Sequence, residues 1–244
     1  MHKVFMPTNR KLYLCPTPLI EDAAVESIPN YNKEVIESLR YFIVEEIRTA
    51  RRFLRKLCPN FPIDDCTFFV LNEHNCKSAN WEELLQPLLD GNDMGLLSEA
   101  GLPCIADPGS DLVWAAQQKN IQVVPLVGPS SITMALMASG LYGQSFAFHG
   151  YLPTDKTALT DKLRKLENIS IQNTQTQLFM EAPYRNNQLF DILLKTCKSD
   201  TRLCIACNIS SKEEYIKTKT IAQWRNAPPP QLHKKPTVFA IIHN

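Results

Sequence analysis

Two glycine signatures are missing from these 244 residues: there is neither G-x-G-x-x-G nor G-x-x-x-x-G-K-[ST]. Their absence argues against an ordinary dinucleotide-binding dehydrogenase and against a P-loop nucleotidase. Charge of one sign is missing as well. With 26 Lys and Arg against 25 Asp and Glu, the chain lacks the global basic signature of a nucleic-acid-binding protein, which leaves only a local basic face open. No apolar run approaches the roughly 20 residues that span a bilayer. The start, Met-His-Lys-Val-Phe-Met-Pro-Thr-Asn-Arg, lacks the apolar core of a signal peptide. A cytoplasmic, non-membrane protein is the expectation. Internal repeats and low-complexity tracts are also lacking.

Cysteine is present, at 8 residues, but scattered as small hydrophobes and not as a disulfide framework. Cys204-Ile-Ala-Cys207 has CxxC spacing, which suits redox chemistry or zinc. It sits inside an apolar run that reads as a strand, where positions i and i+3 face opposite ways. No second CxxC exists, so no metal is expected.

What the chain has is an alternation of short apolar runs and amphipathic stretches. Strands are expected at Leu12–Cys15, Phe42–Val44, Thr67–Leu71, Met94–Leu97 and Ile121–Val127. Helices are expected at Lys33–Leu39, Thr49–Leu57, Trp81–Leu89, Asp111–Lys119 and Ser130–Leu141. That alternation predicts an α/β fold with a mainly parallel sheet. After Gly140 and Gly143 the pattern changes. Strands at Phe146–Phe148, Gln177–Met180, Arg202–Cys207, Tyr215–Lys219 and Val238–Ile242 surround helices near Thr157–Leu166 and Asn187–Leu194. The last three strands follow one another with little helix between them, which predicts a mixed sheet. Two domains, 1–142 and 143–244, follow from this reading.

The stretch from Leu96 to Ser131 is the most informative. Two apolar strands each end in a small-residue turn that leads to a helix, and Gly101, Gly109 and Gly128 lie in these turns. In open parallel sheets ligands bind at such strand ends, although ordinary βα connections use the same residues.

Five segments occur in order: Lys11-Leu-Tyr-Leu-Cys-Pro-Thr-Pro-Leu19, Val44-Glu-Glu-Ile-Arg-Thr49, Leu97-Ser-Glu-Ala-Gly-Leu-Pro-Cys-Ile-Ala-Asp-Pro-Gly109, Val124-Pro-Leu-Val-Gly-Pro-Ser-Ser131 and Glu181-Ala-Pro-Tyr-Arg185. Together they resemble the tetrapyrrole methylase superfamily of S-adenosylmethionine-dependent methyltransferases. Within it the chain is most similar to the branch that methylates a ribose 2′-oxygen of small-subunit ribosomal RNA. The resemblance runs through nearly the whole chain, and the Ser-Glu-Ala-Gly…Asp-Pro-Gly block is its specific part.

The resemblance implies two α/β domains with S-adenosylmethionine in a cleft between them, a homodimer, and RNA as substrate. It implies that Ser98, Glu99, Ala100, Gly101 and Pro103 line the methionine side of the cofactor, with Pro18 and Ile105 among its other contacts. Ser130 and Ser131, at a helix start suited to an anion, would meet its carboxylate or ribose hydroxyls. Glu181 and Ala182 would approach the adenine, with Pro236 and Thr237 near the same pocket. Simple helix capping explains the two serines equally well.

Three departures from the branch stand out. Leu19-Ile20-Glu21-Asp22 replaces a Gly-Asn pair after Thr17-Pro18, Glu99 replaces an Asp, and Glu45-Glu46-Ile47-Arg48 replaces Glu-Asp-Thr-Arg. A ribose hydroxyl must lose its proton to accept a methyl group. Glu45, Glu46, Glu73 and His74 are the candidate bases, the last two in an Asn72-Glu-His-Asn75 segment similar to a His-Asn segment of the family. His74 is a candidate as an imidazole able to accept a proton but is also an ordinary loop histidine. Arg48 is suited to gripping a carboxylate or phosphate, or to pairing with Glu45 or Glu46.

Arg48, Arg51, Arg52, Arg55 and Lys56 cluster on one expected helix, with Lys33 and Arg40 nearby. The cluster reads as an RNA-phosphate contact or as a solvated helix face. Two further functions stay open: methylation of a tetrapyrrole or other small molecule, and cofactor binding without catalysis.

Overall fold

The computed structural model describes residues 10–20, 27–72, 74–76 and 79–243. Glu21, Asp22 and Glu73 lie outside the described residues. The chain divides into two compact units, 1–129 and 130–244.

The first unit is built on β1 (Lys11–Cys15), β2 (Tyr41–Val44), β3 (Thr67–Val70), β4 (Met94–Leu97) and β5 (Gln122–Pro125). All pairings are parallel, in the order β3-β2-β4-β1-β5. A central strand of such a sheet is covered on both faces and so reads as unbroken apolar sequence. β4 fits this, with every residue of Met-Gly-Leu-Leu buried. Helices α1 (Asn30–Ser38), α2 (Ile47–Leu57), α3 (Trp81–Leu89) and α4 (Ser110–Gln118) are the crossovers.

Two apolar clusters fill the faces of this sheet. One joins Ile36, Leu39, Phe42, Leu54 and Leu57. The other joins Ile43, Leu85, Leu88, Met94, Leu96 and Leu112. Each such fully buried side chain contributes about 1.5–3 kcal/mol.

The second unit holds α5 (Ser131–Ser139), β6 (Phe146–Tyr151), α6 (Lys156–Asn173), β7 (Thr176–Met180), α7 (Asn186–Thr196), β8 (Arg202–Cys207), β9 (Tyr215–Thr220), α8 (Ile221–Arg225) and β10 (Thr237–Ile242). Its sheet has the order β6-β7-β10-β8-β9. Only β6 and β7 run parallel; the other pairings are antiparallel. The architecture is thus the expected α/β pair of a parallel sheet and a mixed sheet. Leu163, Leu166, Phe179, Leu193, Trp224 and Phe239 share the core on one face of the second sheet. Buried Trp224 donates its indole N–H to Leu203 O at 2.9 Å.

Helix α5 packs on β8, β9 and β10, and Thr218 Oγ1 donates to Ser139 O at 2.6 Å. The compact units therefore part at Pro129/Ser130, whereas the composition change placed the boundary at residue 142. The Gly140–Gly143 punctuation marks a turn inside the second unit, because α5 buries its apolar face on that unit's sheet.

Helix α6 runs well past the expected Leu166, to Asn173. Its core face continues in polar residues. Glu167 Oε1 accepts from Lys198 N at 2.8 Å and from Thr201 Oγ1 at 2.5 Å, and Ser170 Oγ accepts from His243 N at 3.1 Å. An apolar pattern cannot register a helix face that is buried through hydrogen bonds. In β8, Cys207 lies in the same core as Leu203 and Ile205, while the alternation of the strand turns Cys204 to the other face.

Candidate functional site

In the first sheet β4 lies between β2 and β1. All three run the same way, so the residues that leave their carboxyl ends meet. These are Thr17 and Pro18 after β1, Glu45 to Thr49 after β2, and Ser98 to Gly101 after β4. Thr17, Pro18, Leu19, Thr49, Ser98, Glu99 and Ala100 line an open groove of about 200 Å³, with Arg52, Phe53 and Lys56 of α2 on its other wall.

Hydrogen bonds hold the loop after β4. Ser98 is buried, donates Oγ–H to Asp107 Oδ2 at 2.5 Å, and accepts from Ala100 N at 3.2 Å. Thr49 Oγ1 donates to Glu99 Oε1 at 2.6 Å, so Glu99 stays exposed but tethered. Gly101 pairs with Thr17 in an antiparallel bridge. Gly101 has φ +84, a region costly for other residues. Gly128 is needed for space: a Cβ there would lie 2.3 Å from Pro16 Cβ and Cγ. Pro103 is buried in the same loop, while Ile105 is 52% exposed.

Glu45 faces Asp107 and the backbone N–H of Glu99. Burial, then the Asp107 and Glu99 carboxylates, push its carboxyl up to about 7. Burial likewise raises Asp107, although its hydrogen bonds to Ser98 and Glu45 oppose the shift. Glu45 Oε1 is buried without a hydrogen-bond partner. Two carboxyl groups in hydrogen-bond reach of one another are satisfied when they share a proton.

Glu46 is placed differently. It is the N-cap of α2, and its two oxygens accept from Arg48 N and Thr49 N, each at 2.9 Å. These bonds hold its carboxyl below the ordinary range. Arg48 lies exposed in the first turn of the same helix. His74 is exposed in the turn after β3, the edge strand, with its backbone N–H bonded to Asn72 Oδ1 at 3.0 Å. It is not among the described residues that line the groove.

The expected residues of the second unit stand at its element ends. Ser130 is buried at the start of α5 in extended conformation and makes no side-chain capping bond. Ser131 opens the helix. Glu181, buried directly after β7, accepts from Ala182 N at 2.8 Å. Its Oε2 lies 3.3 Å from Arg185 in an ion pair whose geometry falls short of a hydrogen bond. Pro236 is exposed and Thr237 buried at the start of β10, where Thr237 Oγ1 donates to Lys235 O at 3.0 Å.

Sequence reasoning weighed Glu45 and passed over Thr17, Thr49 and Asp107. Thr17 Oγ1 is buried without a partner on the wall of the groove. Thr17 and Asp107 were visible inside the Thr-Pro-Leu and Asp-Pro-Gly segments, but their pairing depends on strand order.

The model of the family described as Tetrapyrrole (Corrin/Porphyrin) Methylases matches residues 28–224. The chain belongs to this family. As a tetrapyrrole methylase it is a member of a family of S-adenosylmethionine-dependent methyltransferases. A Vibrio cholerae protein named "Ribosomal RNA small subunit methyltransferase I" is 32% identical over 212 residues, spanning 87% of this chain and 69% of that protein. A Bacillus subtilis protein of the same name is 30% identical over 220 residues, spanning 88% of this chain and 70% of that one. A crystal structure of the methyltransferase CobJ matches this methylase with a TM-score of 0.60 at 16% identity, over 96% of this chain and 93% of the other. That likeness concerns the fold. Among the described residues no helix of the methylase is long and apolar enough to cross a membrane.

The site residues fit the family's cofactor. The orphaned Thr17 hydroxyl offers a polar contact inside the groove. The exposed Glu99 carboxylate in the wall of the groove suits a ligand bearing a sulfonium and an ammonium.

Proposed function

We propose that this methylase transfers a methyl group to a ribose 2′-oxygen of small-subunit ribosomal RNA. The observation that carries the reading is the similarity to the two ribosomal RNA methyltransferases, which extends over 87% and 88% of the chain. A homodimer and a cytoplasmic reaction belong to the same reading.

S-adenosylmethionine, when bound, supplies a methyl group already activated on sulfur, so the protein's task is alignment and exclusion of water. Thr17, Pro18, Ser98, Glu99, Ala100, Gly101, Pro103 and Ile105 are the proposed contacts of its methionine end. A groove of about 200 Å³ is smaller than the roughly 300–1,000 Å³ typical of whole ligand pockets, in keeping with one end of the molecule. Ser130 and Ser131 are the proposed contacts of its carboxylate or ribose hydroxyls, and Glu181, Ala182, Pro236 and Thr237 of its adenine side. Glu45, its carboxyl near 7, is suited to take the acceptor's proton. His74 is a second candidate. Arg48 would orient the acceptor, and Glu46 would keep the start of α2 in place.

The test is calorimetric titration with S-adenosylmethionine beside a Ser130→Asp/Ser131→Asp variant, followed by methyl transfer to small ribosomal subunits. Saturable binding that the variant abolishes, with the label recovered on a ribose, supports the reading. Transfer to a tetrapyrrole and not to RNA, or binding without transfer to either, overturns it.

A further inference from the structure

Helix α2 gathers its cations on one side. Arg48, Arg51, Arg52 and Arg55 follow i, i+3, i+4, i+7, the spacing of one helical face. Ala50, Leu54 and Leu57 occupy the buried side. An open groove of about 520 Å³ lies along the cationic face, lined by Glu46, Ile47 and the four arginines. Arg52 also lines the groove of the Ser98–Ala100 loop. The basic face and the candidate methyl-transfer groove are therefore one continuous surface.

The concentration of charge is local. α2 carries Arg48, Arg51, Arg52, Arg55 and Lys56 and no acid within Ile47–Leu57. The rest of the chain is left with 21 basic against 25 acidic residues. Arg51 is oriented by Asp64 at 2.7 Å and lies 5.9 Å from the Phe68 ring. Arg40 is occupied elsewhere: its guanidinium donates to Glu37 O and Leu39 O at the end of α1. The arginine face is thus a defined part of the broader cluster seen in the sequence.

We infer that this arginine face of α2 is the docking surface for the ribose–phosphate backbone of the RNA acceptor, leading a nucleotide to the groove at Ser98–Ala100. The inference rests on the RNA-methylation reading and adds to it the surface and the ligand group it takes. Guanidinium groups present planar forks that match phosphate oxygens two at a time. From Arg48 to Arg55 the stripe extends about 10 Å along the helix axis, which suits a strand lying along the helix better than a single anion.

The test is RNA binding over a salt series, with a short single-stranded RNA and intact small ribosomal subunits as probes. The wild type is compared with Arg51→Gln/Arg55→Gln and with the charge-retaining Arg51→Lys/Arg55→Lys. The Gln pair is expected to lose about tenfold in affinity at low salt, and its slope of log affinity against log salt to fall by about 1.4, at about 0.7 per single-strand phosphate contact. The Lys pair keeps the slope. Titration with S-adenosylmethionine stays at the wild-type value in both, since neither position lies in the cofactor loops. If the Gln pair folds poorly by thermal melting, Arg55→Gln alone decides, with an expected fall of about 0.7. A folded Gln variant with wild-type RNA affinity and slope overturns the arginine face and leaves the methylation reading standing. A wild type that binds S-adenosylmethionine but neither binds nor methylates RNA overturns that reading, and the docking surface with it.

Discussion

Thr17 and Gly101 exchange both of their backbone hydrogen bonds, Thr17 N–H to Gly101 O at 2.9 Å and Gly101 N–H to Thr17 O at 3.1 Å. This bridge ties the turn after β1 to the loop after β4. Gly101 holds it at φ +84, where an added Cβ would meet Leu19 Cδ2 at 3.1 Å and Pro129 O at 3.3 Å. Gly101→Ala is expected to cost about 1–2 kcal/mol from the backbone conformation alone and to weaken S-adenosylmethionine binding by loosening the groove wall. Thermal melting and calorimetry check both effects. A variant with wild-type melting and affinity would show that the bridge does not depend on glycine.

Gly128→Ala is expected to be the more damaging change. The new Cβ would stand 2.3 Å from two atoms of the Pro16 ring, which cannot rotate away. Overpacking of this kind typically costs about 1–3 kcal/mol. The expected result is a lower midpoint in urea at unchanged slope, and a midpoint equal to wild type would refute the close approach.

Glu45 makes stability depend on pH in a stated direction. Its carboxyl is raised from 4.5 to about 7, so the folded protein holds a proton that the unfolded chain has released. The stabilisation is complete below the unfolded value and is lost as pH rises through the folded one. The melting temperature of the wild type is expected to fall relative to Glu45→Gln between about pH 5 and pH 8, because the amide cannot ionise beside Asp107 and Glu99. Parallel pH profiles for the two proteins would sink the shared-proton account.

Glu46 answers to a different test. Its oxygens cap α2 through two backbone N–H groups, so Glu46→Ala is expected to lower the melting temperature. Glu46→Asp or Glu46→Asn should restore much of that, and methyl transfer measured on the restored variant shows whether the carboxylate has a chemical role besides the cap. Restored stability with lost turnover would assign it one.

β1, β2 and β4 were legible in the sequence because a buried parallel strand is an unbroken apolar run, and α2 because its apolar and basic residues alternate at helical spacing. The second half of α6 was illegible because Glu167 and Ser170 bury polar atoms whose partners, Lys198, Thr201 and His243, lie far along the chain. The parting of the compact units at Pro129/Ser130 was illegible because the packing of α5 on β8 to β10 leaves no local trace. Gly101 and Gly128 were singled out from the sequence, yet only their surroundings show that one is required for its φ and the other for its space.

By itself the sequence determined the class of the fold, the family, and the segments that carry the chemistry, since periodicity and contiguous motifs are local properties of a chain. The tertiary structure decided which of those residues meet. The strand order β3-β2-β4-β1-β5 puts the ends of β1, β2 and β4 side by side. That places Glu45 against Asp107, Thr49 against Glu99 and Thr17 against Gly101. Strand order follows from how crossovers pack their apolar faces across the whole sheet, and no short stretch of sequence records it.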